Sequence, residues 1–269
     1  MLFRSVDDQC RVTEASVKQG ITTDTRLVSV MMANNETGAI QDIAALADQV
    51  RSAGVIFHTD AIQAAGKIRL DFESSGVQLL SLSAHKIYGP RGVGALIVDK
   101  SLELAPLIHG GGQEKGLRAG TENVAGIVGF GMAAELASTQ LEQRSAHTRG
   151  LRERLEQGLA RYPEITVFAG EAERLPNTVQ LAIAGIDGET LLMQLDRAGI
   201  AVSSGSACAS GKNEASHVLL AMGVDAASAR GAIRVSLGKE ITAEDIDALL
   251  AALDKQIKWL QKAGHAAGW

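Results

Sequence analysis

Cysteine is nearly absent from the 269 residues: Cys10 and Cys208 are the two present, and no Cys-x-x-Cys pair occurs. That scarcity excludes a zinc ribbon and a disulfide framework, and it fits a reducing, cytosolic setting. No cluster of basic residues stands out either. With 26 Lys and Arg against 31 Asp and Glu the net charge is -5, so nucleic acid is not expected as the main partner. Apolar runs such as residues 92–98 and 191–193 fall far short of the roughly 20 residues that a membrane helix needs, so no membrane partner is expected. A secretory signal is not expected, because Asp7 and Asp8 interrupt the first residues before any apolar run develops. Internal repeats and low-complexity tracts are also missing. What is present, 46% hydrophobic and 21% charged residues, can bury a substantial core, and it leaves small molecules and proteins as partners.

Residues 26–33 read as a buried strand, and 34–38 as the polar turn that follows it. Asp42 then caps a helix in which Ile43, Leu46, Ala47 and Val50 recur at helical spacing, with Gly54 as the stop. Further strands are predicted over 55–58, with Asp60 just past its end, over 78–82, and over 92–98. Strands alternating with helices predict an α/β fold with a mainly parallel sheet, which takes ligands outside the carboxyl ends of its strands; Asn35, Asp60 and Lys86 would lie there. A glycine-rich stretch, 108–121, precedes helices over about 122–137 and 146–161, the second charged enough to face solvent. Beyond Pro163 a smaller α/β unit is predicted, with strands over 165–168, 178–183 and 200–203, a helix over 189–198, a strand over 232–237 and a last helix over 242–262. Thr242 and Asp245 open that helix as a capping box. Domains are thus expected over 1–137 and 138–269.

The chemistry gathers around Asp60, Gln63, Ser83, His85 and Lys86. A lysine amine at a strand end near a buried aspartate can form a Schiff base, and an aspartate beside a pyridine nitrogen keeps that nitrogen protonated. Taken singly, Lys86 fits a surface lysine and Asp60 a helix cap; together at strand ends they point to pyridoxal 5'-phosphate. The segments Asn34-Asn35-Glu36-Thr37-Gly38, His58-Thr59-Asp60-Ala61-Ile62-Gln63, Ser83-Ala84-His85-Lys86-Ile87-Tyr88-Gly89-Pro90, the stretch 109–121 and Ser203-Ser204-Gly205-Ser206-Ala207-Cys208 resemble those of cysteine desulfurases, in the same order and over nearly the whole chain.

That resemblance implies the sheet of the pyridoxal-phosphate aminotransferase type with a smaller C-terminal domain, and it implies roles residue by residue. Lys86 would carry the cofactor, Asp60 would pair with the pyridine nitrogen, Gln63 would bond the ring hydroxyl, and Asn35 would help hold the bound molecule. Ser83 and His85 would serve the phosphate and proton handling. Thr121 would reach the phosphate of a neighbouring subunit's cofactor, which implies a homodimer. Arg234 would clamp the substrate carboxylate, a task suited to a bidentate guanidinium, although in isolation it also fits a surface ion pair. Cys208 would take sulfur from L-cysteine as a persulfide, leaving L-alanine, and pass it to an iron-sulfur scaffold or another acceptor protein. Cys10 has no such context, His58 fits strand packing, and Met31 and Met32 fit the core.

Another pyridoxal-phosphate enzyme of the same fold, such as an aminotransferase or selenocysteine lyase, would share Lys86 and Asp60 without needing Cys208. A non-catalytic binding fragment is the remaining alternative. Family members carry a further N-terminal portion, with a phosphate-binding loop and a histidine that stacks on the cofactor ring, and neither occurs in these 269 residues. The chain by itself is therefore expected to bind cofactor weakly and to turn over little cysteine. An absorbance titration with pyridoxal phosphate, with alanine assayed at saturation, checks this; tight stoichiometric binding with alanine release contradicts it.

Overall fold

The computed structural model describes residues 6–205 and 215–266. In chain order its helices and strands are α1 (Glu14–Gly20), β1 (Leu27–Met31), α2 (Ile43–Ser52), β2 (Ile56–Asp60), α3 (Phe72–Ser75), β3 (Leu79–Ser83), β4 (Gly94–Val98), α4 (Val124–Thr139), α5 (Leu141–Leu159), β5 (Ile165–Val167), β6 (Thr178–Ile183), α6 (Gly188–Arg197), β7 (Ser203–Ser204), α7 (His217–Ala221), α8 (Ala226–Gly231), β8 (Ile233–Ser236) and α9 (Ala243–Ala266). The described residues fall into two units: 17–32 with 42–141, and 6–16 with 33–41 and those from 142 onward.

In the first unit β1, β2 and β3 run parallel and β4 adds an antiparallel edge, in the order β1-β2-β3-β4. Helix α2 starts as expected at Asp42, whose side chain accepts from Ala45 N at 3.1 Å. Ile43, Leu46, Ala47 and Val50 are its buried stripe, and the helix packs on β2. Alternation along β2 buries Phe57 and Thr59 and leaves Ile56, His58 and Asp60 half-buried on the other face. On β1 the same alternation leaves Leu27, Ser29 and Met31 exposed. Met32 is core as expected, but Met31 is 39% exposed. The cause is that neighbouring residues of an extended chain face opposite sides.

Ser83 leads into a 3₁₀ turn, Ala84–Ile87. Tyr88 closes it with a left-handed φ of 69°, and Gly89 N then donates to Ala84 O at 2.8 Å. Helix α4 rests on this turn through Ala133 and Ala137, which cluster with Ala65 and Ile87. The approach depends on Gly89 having no side chain. A Cβ there would sit 3.0 Å from both Ala133 Cβ and Ala84 O.

The second unit has an antiparallel sheet, ordered β5-β6-β8-β7. All six residues of β6 are buried, so both of its faces are covered. Val179, Leu181 and Ile183 join Ile233 and Val235 against leucines of α5 and α6 and against Leu253 and Ile257 of α9. Ala182, on the opposite face, joins Cys10, Ala39, Phe168, Leu219 and Ala232. Helix α5 corrects the expectation of a solvent-facing helix: Thr148, Leu151, Leu155 and Leu159 are buried, a spacing of three or four that places them on one stripe. Residues 6–16 and 33–41 are held in this unit by backbone bonds such as Ile40 N to Glu173 O and Leu175 N to Gly38 O, both 2.8 Å. Thr242 and Asp245 form the expected capping box of α9, with Thr242 N donating to Asp245 Oδ2 at 2.8 Å and Asp245 N to Thr242 Oγ1 at 3.4 Å.

Replacing Gly89 by alanine is expected to destabilise the protein by about 1–3 kcal/mol through overpacking under α4. A lower urea midpoint with an unchanged slope checks this; an unchanged midpoint contradicts it.

Candidate active site

Strand register sets the candidate residues of the first unit. Met31 pairs with Asp60, so β1 and β2 end level, and Asp60 pairs with Ser81, so β3 runs two residues further, to Ser83. Asp60 is the last residue of β2 rather than the first beyond it, and its Oδ1 accepts from Ile62 N at 2.9 Å, which turns the chain away from the sheet. Ser83 ends β3, and its hydroxyl lies 2.8 Å from His85 Nδ1. His85 and Lys86 follow in the 3₁₀ turn, both exposed. Among the described residues the Lys86 amine makes no hydrogen bond or ion pair. Gln63 is half-buried and held by Lys67, whose Nζ donates to Gln63 O at 2.7 Å and Oε1 at 3.3 Å. This donor set fits a cofactor bearing an aldehyde, a basic ring nitrogen and a phosphate. It offers an uncommitted amine, a carboxylate with one oxygen outside the turn hydrogen bond, and hydroxyl and imidazole groups at the sheet end where such folds take ligands.

His58 does more than pack. Its Nδ1 lies 2.7 Å from Ser29 Oγ on β1 and its Nε2 lies 2.8 Å from Ser81 Oγ on β3, so one ring bridges three strands on the face that also carries Asp60. A neutral ring can donate to one serine and accept from the other. Burial pushes the His58 pKa down, and the charge of Asp60 opposes that shift.

The second unit carries Arg234 and Asn35. Arg234 on β8 pairs in register with Gln180 of β6 and Ser203 of β7, which places the three on one face. Its guanidinium donates from Nη1 to Asn35 O at 2.9 Å, from Nη2 to Ser203 Oγ at 3.2 Å and from Nε to Ser236 Oγ at 3.0 Å. Half-buried and bonded to these oxygens among its partners, it is oriented by the sheet rather than left to sway as an exposed side chain would. Thr121 is exposed, ahead of α4. Cys208 lies outside the described residues. Cys10 is 2% exposed, and burial pushes its thiol up to about 11, with Glu36 and Asp7 adding to the rise and a hydrogen bond with Thr37 opposing it. It is a core thiol, inert at neutral pH.

Known proteins resemble this chain in sequence and fold. The family model for aminotransferase class-V matches residues 3–249. The chain belongs to the aminotransferase class-V family. It is 47% identical to a cysteine desulfurase IscS of Clostridium botulinum (strain Hall), over 95% of this chain and 65% of that protein. It is 48% identical to a cysteine desulfurase of Bradyrhizobium diazoefficiens, over 90% of this chain and 62% of that one. The chain thus spans about two thirds of the length of these relatives. The X-ray structure of a NifS-like protein from Rickettsia africae superposes with a TM-score of 0.87 at 36% identity, covering 94% of this chain and 68% of that one. The α/β class and mainly parallel first sheet expected from the sequence are those of this class-V family. Among the described residues no single helix is long and apolar enough to cross a membrane.

Sequence reading did not find Ser29 and Ser81 as partners of His58. The signal was available, since a serine on each neighbouring strand two residues before its end repeats the position of His58 before Asp60. Because the folded His58 takes up a proton less readily than the ordinary value of 6.5, the unfolded chain binds the extra proton first on acidification. The stability this group contributes is present above 6.5 and is lost as pH falls toward the folded pKa. His58→Gln is expected to flatten the urea midpoint against pH between about 7 and 5. An unchanged pH slope in the variant contradicts the shift.

Proposed function

We propose that the chain carries active-site residues of a pyridoxal-phosphate-dependent cysteine desulfurase, with residues 1–137 as the remainder of the large cofactor-binding domain and 138–269 as the smaller one. The observation that carries this is the uncommitted amine of Lys86 on the turn after β3, next to the strand that ends in Asp60. The likeness to cysteine desulfurases supports it. Pyridoxal 5'-phosphate, when bound, supplies an electron sink for bond changes around the α-carbon of an amino acid. Lys86 holds its aldehyde, Asp60 keeps its ring nitrogen protonated, Gln63 and Asn35 orient it, and Ser83, His85 and Thr121 bind phosphate, the threonine toward a second subunit's site. His85 also moves protons.

Arg234 takes the carboxylate of L-cysteine, its fork already aligned by Ser203 and Ser236. The Cys208 thiol takes the sulfur: the substrate's carbon–sulfur bond breaks, a sulfur–sulfur bond forms on Cys208, and a proton replaces sulfur on the carbon. L-alanine and a Cys208 persulfide result. In the proposal the enzyme is a cytoplasmic homodimer whose persulfide passes to an iron-sulfur scaffold or a similar acceptor.

In the full-length protein, Lys86→Ala is expected to abolish borohydride-reducible attachment of the cofactor, and Cys208→Ala to lower alanine release from L-cysteine by about 100-fold or more. Release that survived Cys208→Ala would move the reading to another class-V activity. Cofactor still reduced onto the Lys86 variant would remove the lysine assignment.

A further inference from the structure

The turn at residues 34–38 is written in polar letters yet is buried, with Asn34 at 5%, Glu36 at 3% and Thr37 at 0% exposure. Asn34 Oδ1 folds it by accepting from Glu36 N at 2.8 Å and Thr37 N at 3.0 Å. The turn lies against β6 at Gly38, whose φ is 80° and where a Cβ would sit 3.0 Å from Thr178 Cβ. Glu36 reaches further along the same strand. Its Oε2 accepts from Gln180 Nε2 at 3.1 Å and also from Ser216 Oγ. A carboxylate so nearly sealed from water keeps its place only through such donors.

Two routes lead from Glu36 to Arg234. The first is the backbone: Asn35 precedes Glu36, and Asn35 O accepts from Arg234 Nη1 at 2.9 Å. Shifting the Glu36 carboxylate from its donors therefore shifts the oxygen that aims one arm of the guanidinium. The second is the sheet. Gln180 pairs in register with Arg234, so the two side chains stand opposite each other on one face. Gln180 is fully buried, and among the described residues its Oε1 has no hydrogen-bond partner, so its amide is oriented by the bond to Glu36. Released from that bond, the amide can turn its oxygen to the guanidinium and draw it off line, because a buried acceptor without a donor is costly.

We infer that Glu36 is a positioning residue for Arg234, acting through Asn35 and Gln180 to fix the line along which the guanidinium meets the carboxylate of an incoming amino acid. This rests on the reading of Arg234 as the clamp for L-cysteine. Glu36 touches no reacting atom. Its effect is on the orientation of the fork, which decides how well a bidentate pair forms.

In the full-length protein loaded with pyridoxal phosphate, titration of the cofactor's absorption with L-alanine and with ethylamine separates carboxylate recognition from amine recognition, since the two probes differ by that carboxylate. Glu36→Ala and Gln180→Met are each expected to weaken L-alanine about tenfold and ethylamine less than about twofold. Glu36→Gln, which keeps an acceptor oxygen at the same reach, is expected to stay within about twofold of the parent for both. KM for L-cysteine is expected to rise about tenfold in Glu36→Ala and Gln180→Met with kcat within about twofold. On an Arg234→Gln background, Glu36→Ala is expected to add no further loss for L-alanine. Parent-like L-alanine affinity in both Glu36→Ala and Gln180→Met would overturn the inference. So would equal weakening of both amines, which marks a general loss of the site, or a full second loss on the Arg234→Gln background. If Arg234→Gln alone left L-alanine at the parent affinity, the clamp reading would fall; a clamp lost in Arg234→Gln but intact in Glu36→Ala would remove only the role of Glu36, so the two failures are told apart.

Discussion

Each extended strand offers its side chains alternately to two sides, and both sheets are organised by that constraint. In the first, Phe57, Thr59 and Leu80 are buried on the side where α2 packs, while Ser29, His58, Ser81 and Asp60 share the other side. In the second, Val179, Leu181 and Ile183 go to the helical core, while Gln180 and Arg234 lie opposite. A slip of one residue in register would exchange the two sets, burying the polar row in an apolar layer. The same pairing that satisfies the backbone thus decides which residues are available for chemistry.

Polar groups placed inside the fold are matched there in part, and atoms such as Arg152 Nε and Arg174 Nη1 are buried without a hydrogen-bond partner among the described residues. Half-buried Arg152 donates to the backbone oxygens of Arg174 at 3.2 Å and Leu175 at 2.8 Å, and Glu156 stands 2.7 Å from the buried Arg174. Burial and the nearby Arg174 charge push the Arg152 pKa down, and Glu156 offsets part of that. Such groups add little net stability but define one arrangement, since any other leaves a charge without a partner. This also explains why charge-rich α5 is not a free surface helix: its leucines face the core and some of its charges have work inside the unit.

Local patterns were legible in the sequence and distant partnerships were not. Asp42 before an apolar period of three or four, Thr242 with Asp245, and short apolar runs ending at His58 and Leu82, within two residues of the observed strand ends, announced their elements because capping and alternation act over a few residues. Glu36 could not be read so, because its partners lie 144 and 180 residues away and a glutamate in a polar turn ordinarily faces water. The helices α3, α7 and α8 have four to six residues, too few to show a period. The placement of Asp60 and of the Lys86 turn was legible, since both follow from strand ends. The hydrogen bonds that orient Arg234 needed coordinates, because Asn35 and Ser203 reach it only once the sheet has formed.

Tyr88 shows what such a design costs. A tyrosine at φ 69° with 58% of its surface exposed gains little from burial to offset its conformation, yet it closes the turn bearing Lys86. Non-glycine residues in that region carry about 1 kcal/mol or more of backbone strain. A glycine in its place would relieve the strain but would also give the turn other shapes to explore in the unfolded and folded states alike. Rigidity around the lysine and ease of folding therefore pull in opposite directions at this one position, and sequence drift that favours thermal robustness would tend to erode the geometry beside the amine.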